Sequence, residues 1–248
     1  MTNPRKLFVA LPSYGNVPMG FVKCLIKLLM DPPVALQVCT VDGDSLVSRA
    51  RNTLTASFLA SDCTDFLFID TDLIFSGEHI ARMLAHDVPI VGGFYPKKQD
   101  GALAWVCNAK LDFPAPDARG LQSLRYIGTG FLLVKREVFT RMIEAHPESA
   151  YIADGTGRAE HDLWPVGIHD GRYLSEDWAF CQRALDLGYD VLGDTQVILK
   201  HIGTAVFPLQ SQLAGLSGAS LVAGADGSGE PSVPAELPQS IPPSQSIL

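Results

Sequence analysis

The feature that most constrains this chain is the regular alternation of short apolar runs and amphipathic stretches over its first 95 residues. Leu7–Leu11 is short and apolar, which predicts a buried strand. Pro18 suits the first helical position. Phe21, Leu25 and Leu28, flanked by Val22, Ile26 and Leu29, then make a wide helical stripe that Pro32-Pro33 ends. Leu36–Val41 alternates like a strand. Asp44 or Ser45 can cap a helix to about Ala60, with Leu46, Ala50, Leu54 and Phe58 on one face. Asp65–Ile69 reads as a buried strand, Ser76 opens a short helix to about His86, and Pro89–Tyr95 is a further strand. A β-α-β-α-β-α-β order predicts an α/β fold, with a mostly parallel central sheet and helices on both faces. In such sheets ligands bind beyond the carboxyl ends of the strands.

The second half is less periodic. Residues 97–126 read as irregular and hairpin-like, Tyr126–Lys135 as a strand starting with Gly128-Thr129-Gly130, and Arg136–His146 as a helix. Residues 147–173 form a long polar loop, a length usually tied to function or mobility. Ser175–Leu187 is a helix closed by Gly188, and a last strand near Asp190–Leu199 leads to His201. From Ser211 onward the composition changes. Ser, Gly and Pro fill 18 of the last 38 positions, and Lys, Arg and aromatics are absent. This divides the chain into a folded domain, 1–210, and a tail, 211–248, that is expected to be largely disordered, with 212–225 apolar enough for a short docking helix.

The 248 residues carry a formal charge of −8, against the basic footprint of a general nucleic-acid binder. No apolar run approaches the ~18 residues of a membrane span. The short run after Arg5-Lys6 lacks a small-residue cleavage site and is not read as a secretion signal. Five scattered cysteines without a Cys-x-x-Cys fit a reduced, cytoplasmic protein.

Four constellations can carry chemistry. Asp70-Thr71-Asp72 ends the strand Phe66–Ile69, so period-two geometry puts both carboxylates on one side, where two oxygens suit Mg²⁺ or Mn²⁺. The bland alternative is two solvated carboxylates opening a loop. Glu176 and Asp177 open a helix, where acidic residues either stabilise the positive helix end or supply a general base. His201 follows the last strand, as a structural histidine or a metal ligand. Arg49, Arg51 and Asn52 lie in the first turns of a helix, on a solvated face or facing phosphate. Asp42 ends a strand, as turn chemistry with Gly43 or as a partner for a base or ribose. His161 and His169 lie in the long loop, within reach of substrate.

In their order, Leu11-Pro12-Ser13-Tyr14, Ala50-Arg51-Asn52, Asp70-Thr71-Asp72, Gly128-Thr129-Gly130, Ser175-Glu176-Asp177 and Lys200-His201 resemble a compact GT-A-fold glycosyltransferase of the kind found in phages, large viruses and bacteria. The resemblance spans roughly residues 5–207. It implies a Rossmann-like GT-A fold and a nucleoside-diphosphate sugar donor, most often a UDP-sugar. It places Asp70, Asp72 and His201 at Mn²⁺ or Mg²⁺, and Asp177 as the base of an inverting transfer, with Glu176 holding acceptor or helix geometry. Pro12, Ser13, Tyr14, Asp42, Arg49, Arg51, Asn52 and Thr71 would meet the nucleotide-sugar. Gly128, Thr129, Gly130, Trp178 and His169 would meet donor sugar or acceptor. The acceptor is then a glycan or another hydroxyl, with nucleic acid entering only as a modified-base acceptor. Two rival readings are a sugar-phosphate nucleotidyltransferase and a non-catalytic binding protein of the same fold. The first would want a basic, Gly-rich loop after strand one, and Pro12-Ser13-Tyr14-Gly15-Asn16 has no Lys or Arg.

Overall fold

The computed structural model describes residues 4–98, 104–110, 115–154, 156–203 and 206–207. The expected tail, 211–248, and its boundary at 210 lie outside the described residues.

The first half follows the predicted alternation. Strand β1 (Lys6–Ser13) leads to helix α1 (Met19–Met30), β2 (Ala35–Asp42), α2 (Val47–Leu59), β3 (Asp65–Ile69), the two-residue β4 (Leu73–Ile74), α3 (Gly77–His86) and β5 (Ile90–Phe94). Pro18 is the N-cap of α1 and lies one position before its first turn. Helix α2 is capped by neither Asp44 nor Ser45. Its N-cap is Leu46, and Asp44 instead accepts from the Leu46 amide and holds Arg49. Ser76 does cap α3, in a reciprocal pair with His79.

The second half contains β6 (Cys107–Ala109), β7 (Leu121–Ile127), β8 (Phe131–Lys135) and α4 (Arg136–Ala145). After a 3-10 turn come β9 (Ala150–Ile152), β10 (Ala159–His161), β11 (Gly167–His169) and β12 (Arg172–Leu174). The described chain ends with α5 (Glu176–Asp186), β13 (Val191–Ile198), β14 (Lys200–Ile202) and β15 (Val206–Phe207). Two expectations are corrected here. Tyr126–Lys135 is not one strand, because Gly128-Thr129-Gly130 separates β7 from β8. The 147–173 stretch is not bare loop, because it folds into the small hairpins β9–β10 and β11–β12.

The main sheet has eight strands in the order β2-β1-β3-β8-β5-β13-β7-β6. Six of them run one way, and β8 and β7 run the other. Strand β8 is therefore an antiparallel insertion between β3 and β5, a detail that periodicity does not encode. Helices cover both faces. Phe8, Phe66 and Phe68 pack with Leu54 and Phe58 of α2, Phe139 of α4 and Phe180 of α5. Leu7, Val9, Leu67 and Ile69 pack with Phe21 and Leu28 of α1 and Ile80 and Met83 of α3. Alternate residues of β1 and β3 thus feed opposite layers. No described helix is long and apolar enough to cross a membrane.

Candidate active site

The carboxyl ends of β1 and β3 open onto a cleft of about 180 Å³ lined by Pro12, Ser13, Tyr14, Asp44, Val47, Ala50, Arg51, Asp70, Thr71 and Asp72. Its geometry is set by two supports under the Asp70-Thr71-Asp72 turn. The Asp70 amide donates to the Gly130 carbonyl at 2.8 Å, and the Gly130 amide donates to the Tyr95 hydroxyl at 2.9 Å. A Cβ on Gly128 or Gly130 would lie 2.3 or 2.7 Å from that hydroxyl, so both glycines are needed for the close approach. On the other side, the Ile202 amide donates to the Asp72 carbonyl at 2.7 Å, and β14 pairs with β4 so that His201 lies opposite Leu73. A residue some 130 positions away in sequence is thereby fixed next to Asp72.

Each carboxylate of the turn has its own cation. Asp70 faces the Arg51 guanidinium at 3.3 Å, and Arg51 also reaches Glu176 at 3.4 Å and covers the Phe68 ring at 4.8 Å. Arg51 is only 4% exposed, and its Nη1 is buried without a hydrogen-bond partner. Burial raises the Asp70 carboxyl from its ordinary value, with Arg51 opposing the shift. Asp72 contacts the Lys98 ammonium, and its Oδ2 lies 3.4 Å from His201 Nε2. Burial works against ionisation of Asp72, but hydrogen bonds from His201 and Lys98 outweigh it and hold the carboxyl below its usual range.

Asp72 and His201 have the donor chemistry of a divalent-cation site. His201 Nδ1 lies 2.8 Å from the Pro96 carbonyl, which can only accept, so Nδ1 carries a proton and Nε2 is the ring nitrogen that faces Asp72. A backbone carbonyl accepting from the other ring nitrogen is a usual outer support of a metal-ligating histidine. Asp72 Oδ1 is buried with no hydrogen-bond partner. Asp70 is the third expected ligand. It is engaged by Arg51, and no cluster of three or more His, Cys, Asp or Glu side chains suited to a metal ion occurs among the described residues.

The acidic pair opens α5 beside this turn. Asp177 Oδ1 accepts from the Trp178 amide at 2.8 Å and from the Ser175 hydroxyl. Burial, and after it the Glu176 charge, raise the Asp177 carboxyl above its ordinary value. Trp178 stacks on Tyr126 at 5.3 Å, and Arg172 lies over both rings. Tyr95 is buried between these groups. Burial, with Asp70 and Asp177 adding to it, lifts its phenol well above the ordinary value.

Several predicted contacts do not meet in the cleft. Asp42 is exposed at the end of β2, and Asp44 lines the cleft in its place. Arg49 is held by Asp44 at 2.6 Å and, with Asn52, faces a separate groove that Glu148, Ser149 and Tyr151 line. Asn52 is structural. It donates to Asp162 at 2.9 Å and accepts from the Leu163 and Trp164 amides, tying the long segment to α2. His169 lies in β11, 3.3 Å from Asp170, and lines a cavity with Leu174, Gln182 and Arg183. Gly128 and Thr129 lie with Gly130 in the link between β7 and β8, Thr129 buried. Sequence reasoning missed Tyr95, Asp44 and Lys98. The position of Tyr95 just past a strand's carboxyl end was the available signal for it. Asp44 reads as a helix cap in the sequence, and Lys98 follows a strand without any motif.

No family model matches the chain, and no curated protein does. Solved structures share the α/β fold at low identity. A197 from STIV is 17% identical over 80% of this chain and 86% of its own, with a TM-score of 0.49. GalNAc-T7, solved with UDP, GalNAc and Mn²⁺, is 10% identical over 81% of this chain and 44% of its own, with a TM-score of 0.47. The inositol-1-phosphate CTP transferase from T. maritima is 13% identical over 75% and 84%, with a TM-score of 0.38. Glycosyltransferases and nucleotidyltransferases thus both stand among the structural neighbours. Likeness at this level assigns no reaction, which has to be argued from the residues.

Proposed function

We propose that the chain is a glycosyltransferase that moves a sugar from a nucleoside-diphosphate sugar, UDP-sugar first among the candidates, to the hydroxyl of a glycan or another acceptor. The observation that carries the reading is the facing of Asp72 and His201 Nε2 at a cleft at the strands' carboxyl ends, whose Arg51 also pairs with Glu176, the residue before Asp177 at the start of α5. Asp72 and His201 would hold Mn²⁺ or Mg²⁺. Such an ion supplies charge stabilisation for a departing diphosphate.

The remaining roles belong to the chain's own groups. Pro12, Ser13, Tyr14 and Thr71 form the walls that receive the nucleotide. Arg51 holds Asp70 and Glu176 together at the floor of the cleft. Asp177 takes the proton of the acceptor hydroxyl, and its raised value brings its basicity closer to working pH. One direct displacement inverts the anomeric centre.

The test is a thermal-shift panel of UDP, GDP, dTDP and CMP, each with and without Mn²⁺. A ligand that binds only the folded state stabilises it by mass action. A shift with one nucleotide that requires Mn²⁺ supports the reading and identifies the donor class. Slow hydrolysis of the matching nucleotide-sugar without acceptor then separates a transferase from a binding protein. No shift with any nucleotide in a folded sample overturns the reading.

A further inference from the structure

The two cations on the Asp70-Thr71-Asp72 turn are not equivalent. Arg51 is 4% exposed, clamped between Asp70 and Glu176 and packed on Phe68, so it has no room to leave. The Lys98 side chain is 37% exposed, and the one contact described for it is to Asp72 Oδ2, the oxygen that faces His201 Nε2. Its ammonium therefore neutralises the same carboxylate on which a divalent ion would depend. An ammonium and a metal ion cannot both have that oxygen as their close partner without strong like-charge repulsion. A lysine on a flexible four-carbon stem can move where a clamped guanidinium cannot.

We propose that Lys98 is an exchangeable counter-ion: it neutralises Asp72 while the site is empty, gives way when a divalent cation binds, and then serves as a phosphate-binding residue for the nucleoside diphosphate. The inference rests on the Asp72–His201 cation reading above and adds to it a residue and an order of events. Metal alone must displace Lys98 and binds weakly. A diphosphate gives the displaced ammonium a new partner, so each ligand strengthens the other. Such coupling is reciprocal by linkage.

The role has an unusual signature, because removing Lys98 moves two affinities in opposite directions. In Lys98→Gln, Mn²⁺ alone, measured by the paramagnetic resonance of free Mn²⁺, binds more tightly than in the parent. The gain is about 2- to 5-fold, the scale of one partly exposed ion pair. Pyrophosphate binding in the presence of Mn²⁺, measured by calorimetry, weakens by roughly ten-fold, the scale of one lost charge-assisted phosphate contact. Lys98→Arg keeps the charge and restores most of the pyrophosphate affinity. Lys98 is exposed enough for these variants to fold, and circular dichroism checks that they do.

If Lys98→Gln weakens both ligands together, or leaves both unchanged, while the parent binds Mn²⁺ and pyrophosphate, the exchange is wrong and the site reading stands. If the parent binds neither, the cation reading fails and the exchange fails with it. Pyrophosphate carries no base, so a wrong choice of nucleotide does not affect the result.

Discussion

Burial and the neighbouring Glu176 raise the Asp177 carboxyl above its ordinary range, so chemistry and stability pull in opposite directions at this residue. A raised native value means that the folded state binds the proton more tightly than the unfolded chain. The associated stability is present below the ordinary carboxylate value, near 4, and is lost as pH rises through the raised one. At pH 7 the ionised side chain therefore costs stability. Asp177→Asn is expected to raise Tm at pH 7 and to match the parent as pH falls below the usual carboxylate range, read from Tm against pH. The same variant should lose about 10²-fold in transfer while donor binding holds, the scale of a missing general base. Retained transfer would place the base elsewhere. Parent activity should fall on acidification at a pH above that of an unperturbed aspartate. Asp72→Asn is the contrasting case, expected to weaken Mn²⁺-dependent nucleotide binding by removing a charge from the cation's shell. Unchanged Mn²⁺-dependent affinity would sink the assignment.

At the scale of elements, the link between β7 and β8 joins two strands that have β5 and β13 between them in the sheet. It does so by pressing Gly128 and Gly130 against the Tyr95 hydroxyl. Gly130→Ala is expected to cost about 1–3 kcal/mol, as overpacking does. Tyr95→Phe should recover part of that loss, because it removes the nearest atom while the ring carbon stays at 2.9 Å from the new Cβ. Additive losses in a denaturant double-mutant cycle would mean that the turn yields in another direction. The second strap is Asn52. Asn52→Ala leaves the Leu163 and Trp164 amides without their acceptor and is expected to cost about 3 kcal/mol by the same measurement, with nucleotide affinity unchanged in folded samples. A weakened nucleotide with unchanged stability would restore the contact that the sequence suggested.

Across the whole molecule, one sheet serves two cores. β1 and β3 send alternate side chains into each, so the two layers are joined through the same strands. Trp164, stacked on Phe180 at 4.0 Å and edge-on to Phe68, reports from only one of those layers. Its fluorescence is nevertheless expected to follow the same urea transition as the far-ultraviolet circular dichroism. Separated midpoints would show that the α1–α3 layer unfolds on its own.

The alternation of the first half, the two helix-covered faces and the strand-end address of Asp70 and Asp72 are legible in the order of residues alone. These follow from period-two and period-3.6 burial patterns, which are local properties of the chain. The same order marks Arg51, Asp177 and His201 by type and position. How those residues meet is set by the fold. The antiparallel insertion of β8, the pairing of β14 with β4 that brings His201 to Asp72, and the capture of Asp70 by Arg51 all depend on non-local contacts. So does the fate of Asn52, Arg49 and Asp42, whose polar groups looked free for a ligand in one dimension. In the fold, Asn52 is spent on the chain's own amides, Arg49 on Asp44, and Asp42 points to solvent outside the cleft. A side chain's type fixes what it can bind, but which partner it gets depends on what the fold brings within about 3 Å of it.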